Sequence, residues 1–384
     1  MSEQTHQHDH HHGHSHGPAP AESGDPAPKR PPKQEQLDAS TEVTEVAPGI
    51  IRTQLPISMP GLGHVNCYVL EDERGIAIVD PGLPGEDSYL ALVDRLDRAD
   101  YKVADVHTIV VTHSHPDHYG GAMRIRHETG AELVTHASFT TIWDHAELGG
   151  EDEDSSNLEV NSTDDQADAL ERYFARPNPW GGKRDLPSPE FLDRMRDAGA
   201  ATGGSFAIPG PTQPLVDGQT IKLARREWVA MHTPGHTYDH LCLYDPEYGV
   251  VLTGDHVLPS ITPHISGLTP QSDPLAEFFA SLVRMEELGN VSIALPAHGN
   301  PFADLGGRAR HIIDHHEERL DVIRDAWDRI PNGTVSDFMR VLFRERSWGD
   351  MAQSETYAHL EHLLELGELN RTEVNGHASY AAAG

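Results

Sequence analysis

Residues Val106-His107-Thr108-Ile109-Val110-Val111 run straight into Thr112-His113-Ser114-His115-Pro116-Asp117-His118, and this junction constrains the chain more than any other stretch. The β-branched apolar run reads as a buried strand, which Pro116, Gly120 and Gly121 break into a loop. Four groups able to bind a metal, His113, His115, Asp117 and His118, therefore emerge within six residues at a strand's end. Neutral imidazole and carboxylate suit zinc, manganese or iron, according to geometry. An isolated His-x-His says little in a chain with 27 histidines, whereas His-x-His-x-Asp-His after an apolar strand is far more specific.

Three later stretches repeat the arrangement. Thr233-Pro234-Gly235-His236-Thr237, Gly254-Asp255-His256 and Pro296-Ala297-His298-Gly299 each set a His or Asp beside Gly or Pro after an apolar run. Such positions are where loops carry function on a rigid scaffold.

A chain of 384 residues suggests two or three folding units. Residues 1–42 are poor in apolar side chains and rich in His, Pro, Gln, Glu and Lys, which predicts a disordered tail. Within it His6, His8, His10, His11, His12, His14 and His16 form an irregular tract, read either as a metal buffer for the downstream site or as a solvated tail. Residues 43–303 form the predicted main domain. Its strand patterns fall at 49–53, 65–70, 76–80, 106–111, 132–135, 220–223, 228–232, 240–244, 250–253 and 291–295. Helical spacing predicts helices over 86–97 and 119–129, the second ended by Gly130. A third begins at Asp273-Pro274, with Phe278, Leu282, Met285 and Leu288 on one face. Residues 149–206 are acidic and broken by Pro and Gly. They read as a lid-like insertion with short helices over 166–174 and 189–198. From 304 to 384, helices over 309–330, 335–344 and 355–366 precede two short strands around Asn375-Gly376, a winged-helix-like module.

A net charge of −32 argues against broad binding to nucleic acid or an anionic membrane. The sequence contains no apolar run near 18 residues, and its amino terminus is polar, so cytoplasmic residence is the expectation. Cys67 and Cys242 lie in strand-like runs and read as small buried residues. Whether the chain forms a homodimer is left open by the sequence.

Asp80, the His113–His118 motif, His236, Asp255 and His298 together resemble the metallo-β-lactamase-fold hydrolases, over roughly residues 45–302. The resemblance implies an α/β fold, the four-layer αββα metallo-β-lactamase sandwich, with two divalent metal ions at the sheet edge. Zinc is favoured, with iron or manganese as alternatives. By position, one ion falls to His113, His115 and His236. The other falls to Asp117, His118 and His298, with Asp255 bridging both and Asp80 supporting the metal loop. Two such ions share a hydroxide as nucleophile, and Asp117 orients it as the catalytic residue. An aspartate at position 255 argues against antibiotic hydrolysis and for glyoxalase II-like thioesterases, lactonases or RNA-processing members.

The stretch from Gly254 to Ser266 and the carboxy-terminal module look like the beta-lactamase-like-protein-2 subgroup. That subgroup includes single-stranded-RNA endoribonucleases and relatives that cleave acyl thioesters. Arginines in 304–350 are interleaved with Asp and Glu, and the insertion is acidic. A small-molecule ester or acyl thioester is therefore the first reading, an endoribonuclease the second, and a metal-binding regulatory scaffold the alternative of another class. His256 and His264 are read as substrate contacts or loop packing, and Tyr238 and His240 as buttresses of the His236 loop. His311, His315 and His316 are read as a solvated helix face.

Overall fold

Alternation along the central strands decides the layering. On one strand Val65, Cys67 and Val69 enter one core, while Tyr68 and Leu70 enter another, because successive side chains leave a strand on opposite faces. The computed structural model describes residues 31–59, 61–141, 174–184, 189 and 210–383. The chain divides into residues 1–32 and a second unit of residues 33–384, and the second is described below.

Among the described residues, seven strands form the first sheet in chain order: β1 (Thr44–Ala47), β2 (Ile50–Met59), β3 (Leu62–Asp72), β4 (Gly75–Val79), β5 (Val106–Val110), β6 (Glu132–His136) and β7 (Gln213–Leu215). The pairing is antiparallel through β4 and parallel from β4 to β7. The second sheet holds β8 (Thr220–Leu223), β9 (Arg226–His232), β10 (Leu241–Asp245), β11 (Val250–Gly254) and β12 (Ile293–Pro296), in the order β12-β11-β10-β9-β8.

Three apolar cores separate four layers. Helices α1 (Glu86–Arg98) and α3 (Ala122–Thr129) press Leu92, Leu96 and Ile125 onto one face of the first sheet. The two sheets meet through Val79, Val110 and Val134 on one side and Trp228, Ala230 and Leu243 on the other. Helices α4 (Pro274–Glu287) and α5 (Leu305–Ala326) cover the outer face of the second sheet with Phe278, Leu282 and Ile312. This is the αββα sandwich.

The third core continues into α6 (Val335–Leu342), α7 (Asp350–Glu365) and a three-stranded sheet of β13 (Gly333–Thr334), β15 (His377–Ala382) and β14 (Leu369–Val374). Asn375 and Gly376 both take positive φ, +53° and +76°, at the expected hairpin turn.

Several expectations need correction. The sequence predicts disorder through residue 42, but a 3-10 turn forms at Gln34–Gln36 and Glu35 is fully buried; residues 1–30 lie outside the described residues. Instead of one helix over 119–129, α2 (Pro116–Tyr119) and α3 are separated at Gly120 and Gly121. A Cβ on Gly120 would stand 2.2 Å from Pro84, so the glycine lets the loop after β4 cross against the metal motif. Helix α5 starts four residues earlier than expected, because Asp304 caps it by accepting from Gly307 N at 2.9 Å.

His316 is not on a solvated face. It is fully buried, and its Nδ1 lies 3.1 Å from His359 Nε2 on α7. Glu355 beside this pair is already held by Arg319 at 2.8 Å, so the group reads as a packed polar seam between helices. The helices expected over 166–174 and 189–198 lie almost wholly outside the described residues.

Candidate metal centre

The seven candidate ligands arrive on four loops at one rim of the sandwich. His113 and His115 follow β5, and Asp117 and His118 ride on α2. His236 lies between β9 and β10, Asp255 directly follows β11, and His298 follows β12. The structure brings all seven together in two adjoining groups. His113, His115, His236 and Asp255 form one, and Asp117, His118 and His298 the other, with ligand atoms of each group within 4.8 Å of one another.

In the first group His115 Nδ1 lies 3.0 Å from His113 Nε2 and 3.1 Å from His236 Nε2. Asp255 Oδ2 lies 3.5 Å from His236 Nε2. In the second, Asp117 Oδ2 is 3.4 Å from both His118 Nε2 and His298 Nε2. Asp255 reaches this group too, its Oδ1 3.3 Å from His298 Nε2 and its Oδ2 3.7 Å from His118 Nε2. A tetrahedron with metal bonds near 2.0–2.1 Å has edges of about 3.3 Å. The donor spacings match those edges.

Each ring is aimed by the bond its other nitrogen makes. His236 Nδ1 donates to the carbonyl of His264 at 2.6 Å, and His298 Nδ1 to that of His64 at 2.6 Å. His118 Nδ1 donates to Asp80 Oδ2 at 2.9 Å. His113 Nδ1 meets Thr112 Oγ1 at 3.0 Å, and that hydroxyl donates to Asp80. In all four rings this turns Nε2 towards the cluster, the arrangement by which such bonds aim metal-ligating rings. Asp80 itself lies outside the cluster and also accepts from Thr112 N at 2.9 Å.

The orphaned atoms point the same way. His118 Nε2, His298 Nε2 and Asp255 Oδ1 are buried without a well-formed hydrogen bond, a costly state that a cation would relieve. Burial, reinforced by neighbouring rings, holds His113 well below its ordinary pKa and His115 at about 3, so both stay in the neutral, ligating form. Burial opposes ionisation of Asp117, but His118 and His298 outweigh it and bring that carboxyl to about 2. The residues present fit divalent cations.

His240 buttresses the loops. It is fully buried, its Nε2 accepts from Asp255 N at 3.0 Å, and its Nδ1 lies 2.8 Å from Thr233 Oγ1. A Cβ on Gly254, at φ +49°, would stand 2.7 Å from His240 Nε2, so only glycine allows this support. Tyr238 is half-exposed, and its carbonyl accepts from His232 Nε2 at 2.7 Å. His256 is buried against Phe278 and does not line the cavity described next. His264 does.

His115, Asp117, His236 and Asp255 face a cavity of about 580 Å³. Its walls include Met59, Leu62, Phe174, Trp180, Leu258 and Met351. The sequence carried no mark of Glu35, His64 or Trp180 as supports of this site, since their partners are distant in the chain.

The Metallo-beta-lactamase superfamily profile matches residues 60–298. The chain belongs to this superfamily. It is 24% identical to the probable metallo-hydrolase YqjP of Bacillus subtilis over 338 residues, covering 86% of this chain and 96% of that one. An atrochrysone carboxyl ACP thioesterase of Aspergillus novofumigatus is 37% identical over 118 residues, 30% of this chain and 34% of the relative. The chain spans about a third of the length of this and several other fungal relatives it matches. The crystal structure of a beta-lactamase domain protein from Burkholderia ambifaria superposes with a TM-score of 0.70 at 26% identity, covering 90% of this chain and 95% of that one. The chain has the metallo-β-lactamase fold. Among the described residues no helix is long and apolar enough to cross a membrane.

Proposed function

We propose that the chain hydrolyses a small-molecule ester or acyl thioester with two divalent cations, zinc by preference. His113, His115 and His236 would hold one, Asp117, His118 and His298 the other, with Asp255 shared. The observation that carries this reading is the pair of ligand groups joined by Asp255 on the floor of an apolar cavity. Bound there, the cations would supply an activated water and an electrophilic anchor for a carbonyl oxygen.

The chain's own residues do the rest. Asp117 faces both the cavity and the second ligand group, and as a deprotonated carboxylate it accepts a hydrogen bond from the attacking water and orients it. The apolar side chains of the walls give the acyl part of a substrate a surface to pack on. They also favour an acyl group over a phosphodiester: among the described residues one arginine, Arg184, lines the cavity, against Asp350 and the carboxylates of Asp117 and Asp255. The thioesterase among the fungal relatives supports the same choice. We place the activity in the cytoplasm, in keeping with two buried free thiols, Cys67 and Cys242.

The test is turnover of acyl-CoA and acyl-glutathione by zinc-loaded protein, beside a single-stranded RNA, with Asp117→Asn as control. Thioester cleavage lost in the variant is expected. RNA cleavage without thioester turnover would overturn the proposal.

A further inference from the structure

The cavity over the ligand groups has a wall that the sandwich does not supply. Asp350, Met351 and Ser354, on the first turns of α7, line it together with Phe174, Asn178 and Trp180 of the inserted segment. These two pieces are fastened to each other. Trp180 Nε1 donates to Gln353 Oε1 at 3.1 Å, and the Trp180 ring packs 5.2 Å from Tyr357. Ala378 N donates to the carbonyl of Trp180 at 3.1 Å, and Arg371 to that of Pro179 at 3.0 Å. Trp180 belongs to the same apolar core as α5, α6 and α7.

The same helix is also tied to the ligand loops. Gly267 N donates to Ser354 Oγ at 2.9 Å, and His264 Nδ1 lies 3.3 Å from Glu355 Oε2. The carbonyl of His264 holds the ring of His236. A continuous set of contacts therefore runs from a candidate metal ligand through the 264–267 loop to α7, and from α7 to Trp180.

The geometry points to a specificity role for the carboxy-terminal module: α7 and the 174–184 segment form an acyl chamber that selects a bulky apolar acyl group. This rests on the hydrolase reading above and names its substrate class. Met351 is the informative side chain. It lines the cavity from the first turn of α7 and is 68% exposed, so an occupant of the chamber reaches its thioether directly. Trp180 and Phe174 give the chamber flat apolar faces, and its volume suits a ligand far larger than an acetyl group. The winged-helix-like module thus spends its helix end on the cavity, an occupant of apolar carbon rather than a nucleic acid.

The experiment is a series of straight-chain acyl-CoA thioesters from acetyl to decanoyl, turned over by zinc-loaded full-length protein. If each added methylene is fully buried, kcat/KM rises about fourfold per carbon until the chamber is full. Met351→Asp puts a charge on the wall at an exposed position that folding tolerates, and the octanoyl-to-acetyl ratio should fall at least tenfold. A flat or falling chain-length series overturns the chamber while leaving the hydrolase intact. A ratio unmoved by Met351→Asp removes α7 from it. If no thioester is cleaved at any length, the thioesterase reading fails, and displacement of a fluorescent fatty acid by decanoate or acetate still decides the chamber. Decanoate competing no better than acetate would overturn it.

Discussion

Glu35 accepts hydrogen bonds from the backbone amides of Ser260 and Ile261, at 2.7 and 3.1 Å, and from the Ser260 hydroxyl, across 225 residues of chain. The carboxylate is fully buried. Beside it Leu37 accepts from His64 Nδ1 at 2.7 Å, and His64 Nε2 accepts from Gly299 N at 3.0 Å. One short turn therefore braces the loop leading to His264 and the loop carrying His298.

Glu35→Ala leaves two buried amides without acceptors. The expected loss is about 2–3 kcal/mol, seen as a drop in Tm of several degrees. Glu35→Gln, which keeps one acceptor, should fall between. Thermal unfolding of the three proteins checks this, and an unchanged Tm in the alanine variant would show that the turn is not a brace.

Asp80 aims His118, so its loss should weaken the second ion. The residue sits at φ +55°, which asparagine tolerates, so Asp80→Asn isolates the electrostatic and hydrogen-bond change. An amide NH2 cannot accept from His118 Nδ1. Affinity for the weaker-bound cation should drop roughly 10- to 100-fold, read by competition with a chromogenic chelator. Equal affinities would assign Asp80 a purely structural part.

Removing metal should destabilise the fold, because the buried ligand atoms then face one another. Chelated protein is expected to melt below the zinc-loaded form, with a gain of about 4 kcal/mol at a thousandfold excess of free ion over Kd. In a titration the gain should saturate near two equivalents per chain. Saturation at one would refute the shared-carboxylate reading of Asp255.

Acid should destabilise chelated protein through histidines away from the centre. Burial, with His232 stacked 3.8 Å away, brings His136 to about 4, and burial brings His359 to about 4 against the pull of Glu355. In the unfolded chain both titrate near 6.5. Between 6.5 and about 4 the unfolded state takes up protons that the folded state refuses, so this stability is complete above 6.5 and is lost as pH falls. Urea midpoints across that window should fall, and His136→Phe should flatten the fall. Identical slopes would locate the proton uptake elsewhere.

The ligand loops were legible because metal sites on strand ends combine two strong local signals, an apolar run and a donor cluster beside Gly or Pro. The other strands of both sheets, apart from the short β1 and β7 that the sequence reading missed, were legible for the same reason, through β-branched runs with period two. What stayed hidden depends on contacts made across long stretches of chain. Glu35 looks like any charge in a polar tail until Ser260 and Ile261 fold over it. His316 sits at a helical spacing typical of an outer face, and only His359 on another helix shows that it is buried. Gly306 and Gly307 masked the start of α5, although Asp304 is the capping residue that begins it. The Gly120-Gly121 pair was visible, but its reason, the crossing of Pro84, was not.

The ligands divide between the two sheets. His113, His115, Asp117 and His118 leave the first sheet, while His236, Asp255 and His298 leave the second. On the proposed assignment each ion draws ligands from both halves, so a chain with one sheet formed and the other open would lack the full ligand set. Capture of the ions would then follow docking of the halves, and once bound they would act as a latch across the seam. A spectroscopically visible ion such as cobalt would then time the closure of the sandwich during refolding, with the metal reporting the final step rather than seeding the first.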